Sequence, residues 1–460
     1  MLADNHSAVP RRLHEPKSFV WIHVTCCRDR NMRLLACCCA WECGAEAEEG
    51  VSAAVQPEDR PLLRVRWLPK DISRSASTAT SPDEVKTALL EGGLVFKFLG
   101  GRYTLSSEVG RGAHCVVWRC LRVSSVGEPR TFALKVHTEE SSALKRELAA
   151  LTALKGASSG GAAFELFPRI FGSVRVHGRT GLAMPLYGPD LYQLQKLRER
   201  QPFAVSFVWA VACQLLGALE ALMNAGLVHA DIKPQNVVLH RADGVVSALD
   251  GSTHIALIDL GSCLSSEQLL AHRKRVTYVQ SRWYRAPEVI LWSPVAQSAD
   301  AWSVGCVIAE VALGVPLLPG ESEYNQLSRM CAMFGPPPPS LLQRAHRAEP
   351  FFECGLDGTG TDGAGAELIP ERARREPPLV RYLPTDEIEA LIESMVRTED
   401  ASQRHALLVL LDGLLRWDPI ERWSGVRLLA RLEGALEAQG IAWSNPAASV
   451  VPTAFGSGHI

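Results

Sequence analysis

The segment His229–Asn236, reading HADIKPQN, sets an Asp, a Lys and an Asn at fixed offsets directly after a long apolar helical pattern. Asp259-Leu260-Gly261 and Ala286-Pro287-Glu288 follow it, and Ala133-Leu134-Lys135 precedes it. Carboxylate and amide oxygens are hard donors for a divalent cation, and a lysine ammonium neutralises anionic charge. Such side chains suit a reaction that needs positioning and charge neutralisation more than covalent help. Taken singly, an Asp or Asn here reads as a loop turn, and a Lys on a strand as a solvated edge residue. The order in which these segments occur lifts them above that reading.

The elements that must hold these residues can be read from periodicity. Arg102–Leu105 begins an alternating stretch and runs into Val109-Gly110-Arg111-Gly112-Ala113-His114-Cys115-Val116-Val117. Glycines between two strands let a backbone approach phosphate closely, although G-x-G alone is also an ordinary hairpin turn. Thr131–Val136 alternates like a strand and carries Lys135. Glu147 lies in the helical pattern ALKRELAALTAL, with Leu151 one turn on along the same face. By itself it is a surface glutamate on an amphipathic helix. Val237–Leu239 is a short apolar strand, His240–Thr253 a long polar loop, and Ile255–Ile258 a strand ending on Asp259. Ala406–Leu415 and Val426–Leu436 read as the last two helices.

Bulk properties exclude more than they assign. The 460 residues correspond to about two to three domains by length. A hydrophobic share of 47% is ordinary for a globular protein, and a net charge of −2 argues against a general nucleic-acid or membrane-surface binder. Of the 13 cysteines a cluster lies between Cys26 and Cys43, without the paired C-x₂-C spacing of a zinc site. It reads as an unstructured, redox-exposed tail in preference to a palmitoylation site. The scattered cysteines fit a reduced compartment. No apolar leader follows Met1. The apolar stretches Phe203–Leu227, broken by Gln214, Glu220 and Asn224, and Trp302–Leu318, broken by Glu310, read as buried core helices and not as membrane spans. Residues 1–90 are expected to be a largely disordered, Cys-containing extension whose apolar patch Phe19–Val24 docks on a partner or on the folded domain. Residues 441–460 are expected to be a disordered tail, and Gly355–Gly365 a flexible loop.

In this order the four segments resemble the VAIK, HRD, DFG and APE signatures of a protein kinase catalytic domain. The resemblance implies an α+β, bilobal fold over residues 102–436, with a small β-rich N-lobe (102–185) and a larger helical C-lobe (188–436). It implies ATP and Mg²⁺. Asp231 would accept or orient the substrate hydroxyl and Lys233 would steady the transferred phosphate. Lys135 would hold the α- and β-phosphates and pair with Glu147, and Asn236 and Asp259 would be the metal ligands. Val109, Gly110, Arg111, Gly112, Val117, Ala133, Met184, Leu186 and Tyr187 would line the ATP site. In that set Met184 is the gatekeeper, and Pro185–Tyr187 form the hinge; Pro185 has no amide to offer. Cys115 stands where the family has a third glycine, and Leu260 where it usually has Phe.

Val276–Leu291, VTYVQSRWYRAPEVIL, and Leu317–Leu327, LLPGESEYNQL, resemble the CMGC group, and within it the dual-specificity tyrosine-regulated (DYRK) family. By that resemblance Tyr278 is the autophosphorylated tyrosine, with Val276 where a first tyrosine would stand. Arg282 and Arg285 would clamp its phosphate. Arg285 also lies where such kinases favour Pro after the target residue, which implies proline-directed Ser/Thr transfer to protein substrates. Asp300 would brace the catalytic loop, and Arg422 would pair with Glu288. Ala230 takes the place of the Arg that precedes the catalytic Asp in most kinases. A monomeric catalytic domain of cytoplasm or nucleus, without a membrane span, is expected. The rival readings are a pseudokinase, supported by Cys115 and Leu260, and a kinase of small molecules, disfavoured by the full loop Cys263–Glu288.

Overall fold

The computed structural model describes residues 24–25, 95–98, 101–112, 115–122, 131–137, 142–157, 165–176, 179–240, 249–250, 252–265, 268–269, 279–353, 367–369, 383–396, 398, 400–425 and 427–447. Tyr278, the loop Gly355–Gly365, the Cys26–Cys43 cluster and most of the extension lie outside them. Contacts divide the chain into two units. One runs to Ser141 and includes Ile170–Leu186; the other comprises Ser142–Arg169 and everything from Tyr187 on.

The first unit is an antiparallel sheet. Its strands are β1 (Val24–Thr25), β2 (Val95–Phe98), β3 (Gly101–Arg111), β4 (Cys115–Arg122), β5 (Thr131–His137), β6 (Gly172–Val176) and β7 (Arg179–Met184), in the order β1-β6-β7-β5-β4-β3-β2. Alternation decides its faces. Val116, Trp118 and Cys120 of β4 and Phe132, Leu134 and Val136 of β5 are buried together with Tyr103, Val174, Val176 and Ala183. The intervening residues of β4 and β5 fall on the opposite face. Part of the expected extension is structured, since Val24 and Thr25 pair with Val174 and Ser173 on β6.

The second unit is helical. It contains α1 (Ser142–Ala157), α2 (Leu191–Leu197), α3 (Val205–Asn224), α4 (Pro287–Ile290), α5 (Ser298–Leu313), α6 (Glu323–Phe334), α7 (Pro339–Arg344), α8 (Ile388–Met395), α9 (Ala401–Leu414) and α10 (Leu428–Ala438). Short strand pairs lie beside them: β8 (Leu227–Val228) with β11 (Leu264–Ser265), β9 (Val237–Leu239) with β10 (Ile255–Leu257), and β12 (Phe352–Glu353) with β13 (Glu367–Leu368). Every residue of α5 is buried, and most of α3 is. A helix apolar all round belongs in a core. α3 is long and apolar enough to cross a membrane, but most of it is covered by its own unit. Pro336–Pro338 lead as irregular chain into the N-terminus of α7, with Pro339 in its first turn, where a missing N–H costs nothing.

Two boundaries differ from expectation. α1 falls in the helical unit and not with the N-terminal sheet. Residues 441–447 are packed and not a loose tail. Trp443 packs at a tilt on Trp209 with ring centroids 4.9 Å apart and donates from Nε1 to Gln403, and Ala447 is fully buried. An indole that covers another indole holds the segment down.

Candidate active site

The loop after β8 is fixed from beneath by a buried carboxylate. Asp300, in the first turn of α5, accepts the backbone N–H of His229 at 2.5 Å and that of Ala230 at 3.0 Å. Burial pushes its carboxyl above the ordinary range, opposed by His229 and by the two N–H donors. His229 carries the support sideways. Its Nδ1 accepts from the Asp231 N–H at 3.3 Å, and its Nε2 reaches the Ile258 carbonyl at 3.1 Å. Those partners select the tautomer protonated on Nε2. Ala230 is left-handed (φ 64°) and turns the chain so that Asp231 leaves the loop half-exposed.

Around Asp231 the polar groups converge. Lys233 Nζ donates to Oδ2 at 2.7 Å, and Ser281 Oγ donates to Oδ1 at 2.7 Å. Lys233 also reaches Ser281 Oγ at 3.1 Å. Asn236 Nδ2 donates to the Asp231 carbonyl at 2.8 Å and to Oδ2 at 3.3 Å. A half-exposed Lys–Asp pair contributes about 0–1 kcal/mol, so its consequence is geometric: the carboxylate is held with a hydroxyl on one oxygen and a cation on the other.

Asp259 stands at the end of β10, exposed and left-handed (φ 66°, ψ 61°), and caps a one-turn 3₁₀ helix over Leu260–Ser262. The Ile258 N–H donates to the Asn236 carbonyl at 2.8 Å, which ties the Asp259 strand to the Asn236 turn. Because Asn236 directs its NH₂ to Asp231, its Oδ1 is the atom left for a cation. A carboxylate and an amide oxygen are hard donors that fit Mg²⁺, which takes one or two protein ligands and fills the rest of its shell from phosphate and water. Among the described residues no group of three or more His, Cys, Asp and Glu converges.

Of the sheet residues read as nucleotide-binding, Gly110, Val117, Ala133, Lys135 and Met184 share a face, whereas Arg111, opposite Val116, falls on the core face. Val117 is paired with Gly110 and Lys135, Lys135 with Leu182, and Ala133 with Met184; residues directly opposite project to the same side. Lys135 is 7% exposed and Met184 equally so. Val109, Gly110, Arg111 and Gly112 form the open end of β3, with Arg111 bridged to Glu108 at 2.9 Å. A Cβ on Gly112 would lie 3.1 Å from Cys115 Sγ, so the cysteine fills the space next to that glycine. Leu186 is half-buried at the end of this unit. Tyr187 belongs to the helical unit, its ring 5.6 Å from that of His240; Glu147 is there too, 1% exposed.

Residues 103–432 match the protein kinase domain model. This chain belongs to the protein kinase family. Among curated kinases it is 30% identical over 295 residues to "Homeodomain-interacting protein kinase 1" of Caenorhabditis elegans, covering 63% of this chain and 33% of that protein. It is 31% identical over 267 residues to "Dual specificity protein kinase YAK1 homolog" of Arabidopsis thaliana (53% and 27%). To human "Dual specificity tyrosine-phosphorylation-regulated kinase 4" it is 36% identical over 191 residues (41% and 34%). The alignments span about a third of the length of these relatives. They bear out the kinase fold and the CMGC resemblance read from Val276–Leu291.

The described part of this kinase's activation segment is pinned on both sides. The bidentate Arg422–Glu288 pair, at 2.6 and 2.9 Å, is fully buried. Arg422 gives its remaining N–H groups to the carbonyls of Ser298, Arg416 and Trp417, so the whole guanidinium fork is satisfied. Removing one partner of such a pair costs about 3–5 kcal/mol. Arg285 is also buried, which differs from a free phosphate clamp. It donates to the Val279 carbonyl at 3.0 Å and to the Gln280 carbonyl at 2.8 Å, and lies 3.7 Å from Glu323. Arg282 is exposed, with one N–H on the Glu321 carbonyl at 2.5 Å. Sequence reading gave Ser281 and Gln280 no role beyond a family pattern. Only the folded contacts show Ser281 on Asp231, and Gln280 holding Ala299, Ser303 and Ala286.

Proposed function

We propose that this chain transfers the γ-phosphate of ATP to Ser or Thr hydroxyls of proteins, preferentially before proline. The observation that carries the reading is the Ser281 hydroxyl donating to Asp231 Oδ1: the carboxylate is placed and oriented to take a hydrogen bond from a serine hydroxyl. Asp231 orients the attacking hydroxyl and receives its proton, and Lys233, bound to the same carboxylate, balances charge on the transferred group. Asn236 fixes Asp231 with its NH₂ and offers Oδ1, with Asp259, to Mg²⁺. Bound Mg²⁺ supplies neutralisation of phosphate charge. Lys135 is the residue for the remaining phosphates of ATP.

The proline preference is supported by Gln280. Its φ of 68° turns its carbonyl onto Arg285, so that acceptor is already taken. A peptide residue with an N–H would leave it unmatched there, and proline has none to lose. Autophosphorylation of Tyr278 belongs to the same reading, with exposed Arg282 as its phosphate partner, since Arg285 is committed to backbone.

The test is Mg²⁺-ATP turnover by the full chain on paired Ser-Pro and Ser-Ala peptides, with mass spectrometry at Tyr278. Transfer is expected, faster on Ser-Pro, with Asp231→Asn lowering the rate by roughly 10²–10⁴-fold. Folded wild type that is no faster than Asp231→Asn would move the reading to a non-transferring nucleotide-binding scaffold.

A further inference from the structure

Arg146 does nothing in the reaction as read so far, yet it is tied to the turn that carries Asp259. Its Nε donates to the Gly261 carbonyl at 2.7 Å. The turn needs such a partner. A single 3₁₀ turn satisfies little of its own backbone: the Cys263 N–H returns to the Leu260 carbonyl, and the Gly261 carbonyl is taken by Arg146 from outside. Asp259 at its start is left-handed, a conformation that surroundings must enforce in a residue other than glycine.

The surroundings come from α1. Ala143 and Arg146 lie three apart, hence on one face of the helix. A Cβ on Gly261 would lie 3.4 Å from Ala143 Cβ and 3.5 Å from Asp259 Oδ1. These are ordinary contact distances, so the Gly261 turn packs directly against Ala143 and beside the Asp259 carboxylate. Arg146 closes the contact one turn further on, and Leu260 is fully buried beside it. Charge agrees with this placement. Burial holds the Cys263 thiol well above its ordinary pKa; Asp300, Glu147 and Asp259 add to that rise, and Arg146 opposes it. Arg146 thus brings a positive charge to an acidic neighbourhood.

We propose that Arg146 is a positioning residue for the metal ligand: its bond to the Gly261 carbonyl holds the Asp259-Leu260-Gly261 turn against α1 and fixes the direction of the Asp259 carboxylate. This rests on the reading of Asp259 as a metal ligand. The residue requirement is a donor at the end of a long stem. Lysine therefore substitutes in part, and methionine, which keeps the stem but not the donor, does not.

The experiment uses the full chain as wild type, Arg146→Met, Arg146→Lys and Asp259→Asn. Mn²⁺ binding is measured calorimetrically with a non-hydrolysable ATP analogue present, alongside the Mg²⁺ dependence of peptide phosphorylation and the thermal midpoint. Arg146→Met is expected to weaken Mn²⁺ binding about tenfold, the lower end for partners that orient a metal ligand. It should raise the Mg²⁺ needed for half-maximal rate by a similar factor, with peptide KM and thermal midpoint nearly unchanged. Arg146→Lys should recover most of the binding. Wild-type Mn²⁺ affinity in Arg146→Met, or a loss that merely tracks unfolding, overturns the proposal, as does an Arg146→Lys no better than Arg146→Met. Asp259→Asn separates the premises. If it binds Mn²⁺ like wild type, the metal-ligand reading itself has failed; if it loses binding and Arg146→Met does not, only the role of Arg146 has.

Discussion

At the scale of single residues, the centre is a carboxylate whose oxygens are both engaged, and Ser281 is the partner whose removal is most informative. Without its hydroxyl, Asp231 Oδ1 loses a 2.7 Å hydrogen bond, and Lys233 keeps only its bond to Oδ2. A hydrogen bond to a charged group is worth about 1.5–3 kcal/mol. Ser281→Ala is therefore expected to lower kcat roughly tenfold or more, whereas Ser281→Thr, which keeps the hydroxyl, should stay near wild type. Steady-state kinetics on one Ser-Pro peptide decides it; equal kcat in wild type and Ser281→Ala would make the contact incidental. Asp231, Lys233, Asn236 and Asp259 could be singled out as candidates in the sequence because their types suit the proposed chemistry and their order follows a known pattern. Ser281 and Arg146 could not. A serine and an arginine are common on any surface, and what makes these two matter is the chain distance their bonds span, to Asp231 and to Gly261.

At the scale of elements, periodicity located the strand bearing Lys135, the paired strands β9 and β10, and the buried helices α3 and α5, because burial on one face or on all faces leaves a mark in the sequence. It could not show what a polar residue inside such a helix does. Glu310 lies within α5, 1% exposed, and accepts the Tyr284 hydroxyl at 2.7 Å. Burial raises its pKa from 4.5 to about 7. The native state then holds a proton that the unfolded chain has released between those values, so stability declines as pH rises from about 4.5 to 7 and levels off above. The full effect is on the order of 3 kcal/mol. Glu310→Gln still accepts from Tyr284 but carries no proton to lose. Urea unfolding of both proteins should show the variant gaining on wild type by about 1–3 kcal/mol between pH 5 and pH 8. A difference independent of pH would mean that Glu310 is ionised in the native state as it is in the unfolded chain.

At the scale of the whole chain, the folded unit and the family pattern do not end together. The kinase match stops at residue 432, the helical periodicity runs out with α10, and Ala442-Trp443-Ser444-Asn445 has no period from which to infer structure. Its contacts are nonetheless with buried residues of α3 and α9. Trp443 lies on Trp209 of α3, the Ser444 carbonyl accepts from Gln403 of α9 at 3.1 Å, and Asn445 Nδ2 approaches Cys213 Sγ at 3.2 Å. These are long-range contacts made by an irregular segment, the kind that a local reading misses. If the segment is part of the core, a chain ending at Gly440 should be less stable than one ending at Ala447 by about 3 kcal/mol, the low end for deleting a large aromatic from a packed site. Removing only the residues after Ala447 should have little effect on that unit. Trp443→Ala alone should account for most of the loss, because the indole both covers Trp209 and bonds Gln403. Calorimetric melting of the full chain, the two truncations and the point variant tests the ranking. Equal midpoints for the chains ending at 440 and 447 would show that 441–447 rests on the unit without stabilising it, and that the fold is complete where the kinase pattern ends.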